Sequence, residues 1–160
     1  MATTQTAILQ RCETRYFGPV EYDEASVLVF PDGIPGFEQS TRFLPLRQPI
    51  NEPLVFLQSL SDPNVCFVTL PALAACPRYR LSIAREDLDA LDLASGRQPL
   101  IGSEVLCLTI LSIVENAPPT ANLLAPIVVN LQTQRARQVI QVNSAYSHRE
   151  NLPIRVASCS

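Results

Sequence analysis

One histidine, five cysteines, a glycine–proline turn and two acidic clusters are the parts of this chain that could do chemistry. His148 stands in Tyr146-Ser147-His148-Arg149-Glu150. A serine or cysteine hydrolase needs a base beside its nucleophile and a third group to orient that base. Nothing in the sequence pairs His148 with either nucleophile, so it reads as an exposed surface residue. Cys12, Cys66, Cys76, Cys107 and Cys159 are odd in number, at least ten residues apart, and form no Cys-x-x-Cys. A disulfide framework is denser. A metal site needs three or four ligands, usually with close spacing. Cys66 and Cys107 therefore read as small core residues within apolar strands, and Cys12 and Cys159 as incidental thiols.

Gly33-Ile34-Pro35-Gly36 could suggest a phosphate cradle, but a P-loop needs a lysine and the chain has none. A dinucleotide fingerprint of three spaced glycines is also missing. Two proline-set turns are the plainer reading. Carboxylates gather at Glu21, Asp23 and Glu24, and again at Glu86, Asp87, Asp89 and Asp92. Paired carboxylates can do acid–base work, yet no cleft is implied around these. They read as solvated faces, with complementarity to a basic partner as the second reading. The expectation is no catalytic residue, no metal and no cofactor.

The 160 residues fit one domain. Apolar residues make up 47% and charged residues 17%, which marks a globular chain and leaves apolar surface for a partner. All twelve cationic residues are arginine, and the net charge is −3. A nucleic-acid binder shows a basic excess, so direct nucleic-acid binding is not expected. The longest apolar stretch, Val105–Val114, is far short of the roughly 20 residues a bilayer helix needs. The first residues lack the charged and apolar regions of a signal peptide. No membrane contact and a cytoplasmic location are expected.

The elements that must position these residues are mostly strands. Prolines and glycines break the chain into short runs rich in Val, Ile, Leu and Phe, the spacing of an all-β domain. Strands are predicted over Thr6–Glu13, Arg15–Tyr22, Ser26–Phe30, Arg42–Arg47, Leu54–Ser59, Val65–Leu70, Arg78–Ile83, Glu104–Val114, Pro126–Thr133 and Ala136–Asn143. The first of these could join into one bent strand. Ile127, Val129 and Leu131 share a face opposite Asn130 and Gln132, which predicts a half-buried strand. A polar link joins it in a hairpin to the next, where Gln138, Ile140 and Val142 lie opposite Val139 and Gln141. Glu104–Val114 is apolar on both faces and must be covered on both. One short helix is predicted over Arg85–Leu93, with acids in its first turn, Leu88 and Leu91 on its apolar edge, and Gly96 as its stop. Pro71–Pro77 has room for one helical turn at most.

Two stretches carry a further reading. One is Phe30-Pro31-Asp32-Gly33-Ile34-Pro35-Gly36-Phe37-Glu38, followed by Phe43-Leu44-Pro45-Leu46. The other is Thr120-Ala121-Asn122-Leu123-Leu124-Ala125-Pro126-Ile127-Val128-Val129-Asn130, then Gln138-Val139-Ile140-Gln141. Between them lie Pro53–Ser59 and Val65–Val68. In this order and spacing they resemble the flagellar assembly factor FliW family, with its G-x-PGFE turn and its N-L-x-A-P-I-x-x-N run before the last hairpin. Tyr146 and the polar residues after it match the family's usual ending, and the resemblance covers roughly residues 15–152.

The resemblance implies a small antiparallel β-barrel-like single domain over residues 1–152, with a C-terminal tail, 153–160, that has no counterpart. It implies no enzymatic activity and two cytoplasmic partners. One is newly made flagellin, toward which the family is chaperone-like. The other is the carbon storage regulator CsrA, a small dimer that represses translation by binding messenger RNA. Bound to the regulator, such a factor relieves repression of flagellin synthesis without touching RNA, and flagellin takes it away again. The motif residues Pro35, Gly36, Phe37, Glu38, Asn122, Leu123, Asn130, Gln138 and Tyr146 are the partner-binding candidates. The lack of lysine is unusual for the family and alters the charge pattern available against the regulator.

The same residues have a reading of their own. Gly33 and Gly36 permit turn geometries closed to other residues, and Pro35 pre-sets the backbone. Phe37 is expected to tuck under the first strands as an anchor, with direct contact as the second reading. Asn122 is expected to bond the loop backbone, as short amides do. Asn130 points away from the Ile127 face, toward solvent or a partner. The rival class is a small-ligand-binding β-barrel carrier, which predicts a lined apolar cavity closed by loops. The family reading predicts a filled interior and an exposed binding surface.

Overall fold

The computed structural model describes residues 8–143 and 145–152. The expected beginning of the first strand at Thr6, Cys159 and the tail 153–160 lie outside the described residues.

The chain opens with a hairpin rather than one bent strand. β1 (Leu9–Thr14) pairs antiparallel with β2 (Gly18–Asp23). Thr14 makes the reversal: its hydroxyl donates to the Gly18 carbonyl at 2.7 Å and accepts from the Phe17 N–H at 2.9 Å. Arg15 and Tyr16 therefore belong to the turn. Seven further strands form one curved antiparallel sheet: β3 (Leu28–Val29), β4 (Arg42–Leu46), β5 (Val55–Ser59), β6 (Cys66–Pro71), β7 (Val105–Ser112), β9 (Ile127–Asn130) and β10 (Ala136–Gln138). Their spatial order is β10-β9-β7-β6-β5-β4-β3. Two short strands branch from the far end of β7, β8 (Thr120–Ala121) against β7 and β11 (Glu150–Asn151) against β8. The sheet curls until Val29 donates its N–H to Gln134 at 3.0 Å, beside one parallel bridge to Arg135. No ladder closes that seam, so the fold is barrel-like only in a loose sense.

Strand β7 divides two cores. Val105 and Cys107 face a cluster with Leu70, Ala72, Tyr79, Leu81, Leu88, Leu91 and Leu123. Leu108, with the partly buried Leu106 and Ile110, faces Phe30, Ile34, Phe43, Leu57, Ile127 and Val129. This is the double coverage its two apolar faces required. The inside of the curl is filled by those side chains, with Phe30, Phe43, Leu57, Leu108 and Ile127 fully buried.

Helices cover the first cluster. α1 (Ala72–Ala75) is a single turn and α2 (Arg85–Ala90) buries Leu88. The helix expected over Arg85–Leu93 ends earlier than its Gly96 stop. Asp92 takes the left-handed conformation, φ 57°, and Leu93 donates back to the Leu88 carbonyl. Aspartate is one of the few residues that enters this region readily, and the back-bond satisfies a helix-end carbonyl.

Three other expectations are corrected. Arg78–Ile83 is not a strand, because side-chain amides occupy the positions a ladder would use. Ala136–Asn143 is a strand only to Gln138; beyond it, Val139 and Gln141 donate to the loop carbonyls of Pro126 and Leu124. β9 is buried on both faces, not half-buried, because the chain leaving α2 covers its Asn130 side. No helix among the described residues is long and apolar enough to cross a membrane.

Candidate functional site

The Phe30–Ser40 turn is built from its own backbone. Phe30 donates to Thr41, Gly33 to Phe30, Phe37 to Ile34 and Ser40 to Phe37, at 2.6–3.0 Å. Gly33 sits at φ 68°, and a Cβ placed there would lie 2.5 Å from the Glu38 Cα. Only glycine fits. The N–H of Gly36 donates to the Glu38 carboxylate at 2.9 Å and holds that carboxyl below the usual carboxylate range. Ile34 is buried under the turn, whereas Pro35, Gly36 and Glu38 are exposed.

Phe37 does not tuck under the first strands. It remains 42% exposed and sets its ring edge-on against Phe67 of β6, 5.0 Å between centroids. Phe67 touches Phe43, and Phe43 touches Phe30, so four rings run from surface to core. The first hairpin is occupied elsewhere, with Phe17 of its turn packing on Phe56 of β5. The start of the turn is tied to the sheet by charge. Arg137 of β10 pairs with Asp32 at 2.6 Å and with Asp87 of α2 at 2.8 Å.

The second group of motif residues folds into a clasp on the other core. Asn122 accepts the Ala125 N–H at 3.0 Å, as its short amide suggested. Leu123 is buried, and its carbonyl accepts the Tyr79 hydroxyl at 2.5 Å. Gln138 donates to the Ala125 carbonyl, and Tyr146 packs its ring 4.6 Å from Tyr79 while its hydroxyl accepts the Arg80 N–H. Asn130, only 4% exposed, faces neither solvent nor an open surface. It donates to the Leu91 carbonyl at 2.8 Å and accepts from the Gln132 N–H, fixing the chain after α2.

The residues that complete this clasp were not among the partner-binding candidates, although Gln141 closes the second motif stretch. Buried Gln141 accepts from the Ser82 N–H at 2.6 Å and donates to the Tyr79 hydroxyl and the Arg80 carbonyl. Gln98 accepts from the Ile83 N–H and donates to the Ile83 carbonyl. Gln98 thus does for one residue, and Gln141 for two, what a neighbouring strand does for a ladder. The alternation of the segment is strand-like: Tyr79, Leu81 and Ile83 are buried, and Arg80 is exposed. Burial raises the Tyr79 phenol well above its usual range.

The remaining chemistry is subdued. His148 is exposed. Burial pushes the Cys66 thiol up to about 11 and the Cys107 thiol to about 12, which keeps both protonated and unreactive at neutral pH. What the surface offers instead is apolar. Leu100, Ile113, Val114, Ile140 and Val142 stand more than half exposed, and Phe37, elsewhere on the surface, is 42% exposed.

Comparison with known proteins gives a consistent result. The FliW protein family model matches residues 11–152. The flagellar assembly factor FliW of Syntrophomonas wolfei subsp. wolfei is 36% identical over 133 residues, covering 82% of this chain and 81% of its own. That of Bacillus subtilis (strain 168) is 31% identical over 147 residues, covering 91% and 97%. A crystal structure of the flagellar assembly factor FliW superposes with a TM-score of 0.75 at 29% identity, covering 89% of this chain and 96% of that one.

Proposed function

The chain belongs to the FliW family of flagellar assembly factors, and on that premise we propose that it works in the cytoplasm as a binding protein with no enzymatic activity. It holds newly made flagellin, chaperone-like, and in alternation it holds the translational regulator CsrA. While it occupies the regulator, flagellin messenger RNA is free to be translated.

The observation that carries this reading is where the apolar residues lie. A carrier of small ligands keeps a lined cavity. Here the curl is filled by Phe30, Phe43, Leu57, Leu108 and Ile127, while large apolar side chains remain on the outside. That distribution supports macromolecular recognition over the carrier alternative. The exposed part of the first motif, Phe37 and Glu38, is a partner-contact candidate. Leu123 and Asn130 act from inside, as supports.

Electrostatics favours an indirect effect on RNA. The net charge is −3, and the exposed carboxylates of Glu86 and Asp89, which hold no arginine among the described residues, repel phosphate. They attract a regulator that must present a basic surface to RNA, so this association weakens with salt.

The test is a titration of labelled regulator at several flagellin concentrations. Flagellin at about 100 times its dissociation constant weakens apparent regulator binding about 100-fold, near 2.7 kcal/mol. Linkage makes the effect reciprocal. An unchanged dissociation constant with a ternary complex in light scattering rejects the alternation. A stable complex of this protein alone with RNA rejects the indirect mechanism.

A further inference from the structure

An open groove of about 430 Å³ lies between α1, the Tyr79–Leu81 segment and the Leu100–Ile101 loop. Its floor is apolar, with Tyr79 and Leu81 buried beneath it. Its walls stay in water: Leu73 is 41% exposed and Leu100 is 62% exposed. Arg80 lines it, and Arg78 lies two residues earlier on the same exposed side of Tyr79.

These two belong to the six of the eleven described arginines that have no carboxylate within ion-pair distance. Arg11, Arg42, Arg97, Arg135 and Arg137 each hold a carboxylate. Neither Arg78 nor Arg80 has one within ion-pair distance among the described residues. A chain of net charge −3 thus keeps two uncompensated cations beside its apolar groove.

The groove is also rigid. Tyr146 accepts from the Arg80 N–H, Gln141 donates to the Arg80 carbonyl, and Gln98, two residues before Leu100, brackets Ile83 from both sides. The clasp therefore fixes the Tyr79–Leu81 floor and the segment leading into the Leu100 wall before anything binds, which lowers the ordering cost of association.

We propose that this groove seats an apolar, carboxylate-bearing segment of flagellin. The assignment rests on the reading above, that the chain holds flagellin and the regulator. Between those partners charge decides: the basic surface a regulator turns to RNA meets Arg78 and Arg80 with like sign, whereas a segment with apolar side chains and a nearby carboxylate matches floor and rim together. The regulator is left to the acidic surface around α2. Motif residues Leu123 and Tyr146 then act as positioning residues, holding Tyr79 and Arg80 without touching the partner.

The experiment compares wild type with Leu100→Asp and with the double variant Arg78→Glu/Arg80→Glu, using purified monomeric flagellin and purified regulator separately. All three side chains are exposed, and matching thermal midpoints confirm the fold. Each variant is expected to weaken flagellin about tenfold or more and leave regulator binding unchanged. The arginine variant is also expected to flatten the salt dependence of flagellin binding. Flagellin affinity unchanged in both variants overturns the groove and leaves the binding function standing. Loss of regulator affinity in place of flagellin affinity overturns the assignment. Wild type that binds neither protein overturns the function and the groove with it.

Discussion

The turn at Phe30–Ser40 and the clasp at Tyr79–Ile83 both hold irregular chain in one shape, by opposite means. The turn uses backbone-to-backbone hydrogen bonds, a left-handed glycine and a row of aromatic rings. The clasp uses side-chain amides and phenols reaching across from Gln98, Gln141 and Tyr146. A turn held by its own backbone depends on the absence of a side chain at one position. A segment held from outside depends on the presence of polar atoms at distant ones.

The sharpest break in this comparison is Gly33→Ala. The new Cβ collides with the Glu38 backbone at a φ that alanine avoids, so the expected loss is roughly 3 kcal/mol in chemical denaturation. A loss under about 1 kcal/mol shows that the turn relaxes and that its geometry is not fixed by glycine. Gln141→Leu comes next. It keeps the bulk but strands the Ser82 N–H and the Arg80 carbonyl, for an expected loss of about 2 kcal/mol. Amide exchange separates the two regions here: Ser82 loses protection while the Gly33–Ser40 amides keep theirs.

The smallest effect is acid sensitivity, and it belongs to the turn alone. The folded Glu38 carboxyl titrates below its unfolded value because Gly36 donates to it. Its contribution is complete above the unfolded carboxylate range and is lost as pH falls through the depressed value. Amide shifts of Gly36 and Phe37 followed down an acid titration are expected to move with Glu38. Tyr79, raised by burial, stays protonated throughout, so the amides of Arg80 and Ser82 are expected to stay still. Clasp amides moving in step with Glu38 show that the two regions are not independent.

The turn was legible because its determinants are local. Glycine, proline and the phenylalanine after them announce a constrained backbone within nine residues, although not which ring Phe37 would meet. The clasp was legible only in halves. Tyr79, Leu81 and Ile83 alternate with exposed or half-exposed residues as a strand would, which is why the run reads as one. Periodicity reports which side chains leave water; it does not report what satisfies the backbone, and here two glutamines far along the chain do so. The same blindness hid Asn130, whose polar character suggested an outward face although its amide closes a buried contact with Leu91. The α2 terminus was misplaced because an aspartate took the role read for Gly96. β8 and β11, two residues each, carry too little pattern to be seen.

Strand β7 also has a kinetic consequence. Its alternate side chains belong to two cores, so neither can loosen without baring one side of the same strand. The cores are therefore expected to open as one cooperative unit, with the buried central β7 amides exchanging with solvent through global opening. Cys107 sits in that shared wall, buried and protonated. The chain thus carries its own clock for rare unfolding: a thiol reagent reaches Cys107 only as often as the whole molecule opens.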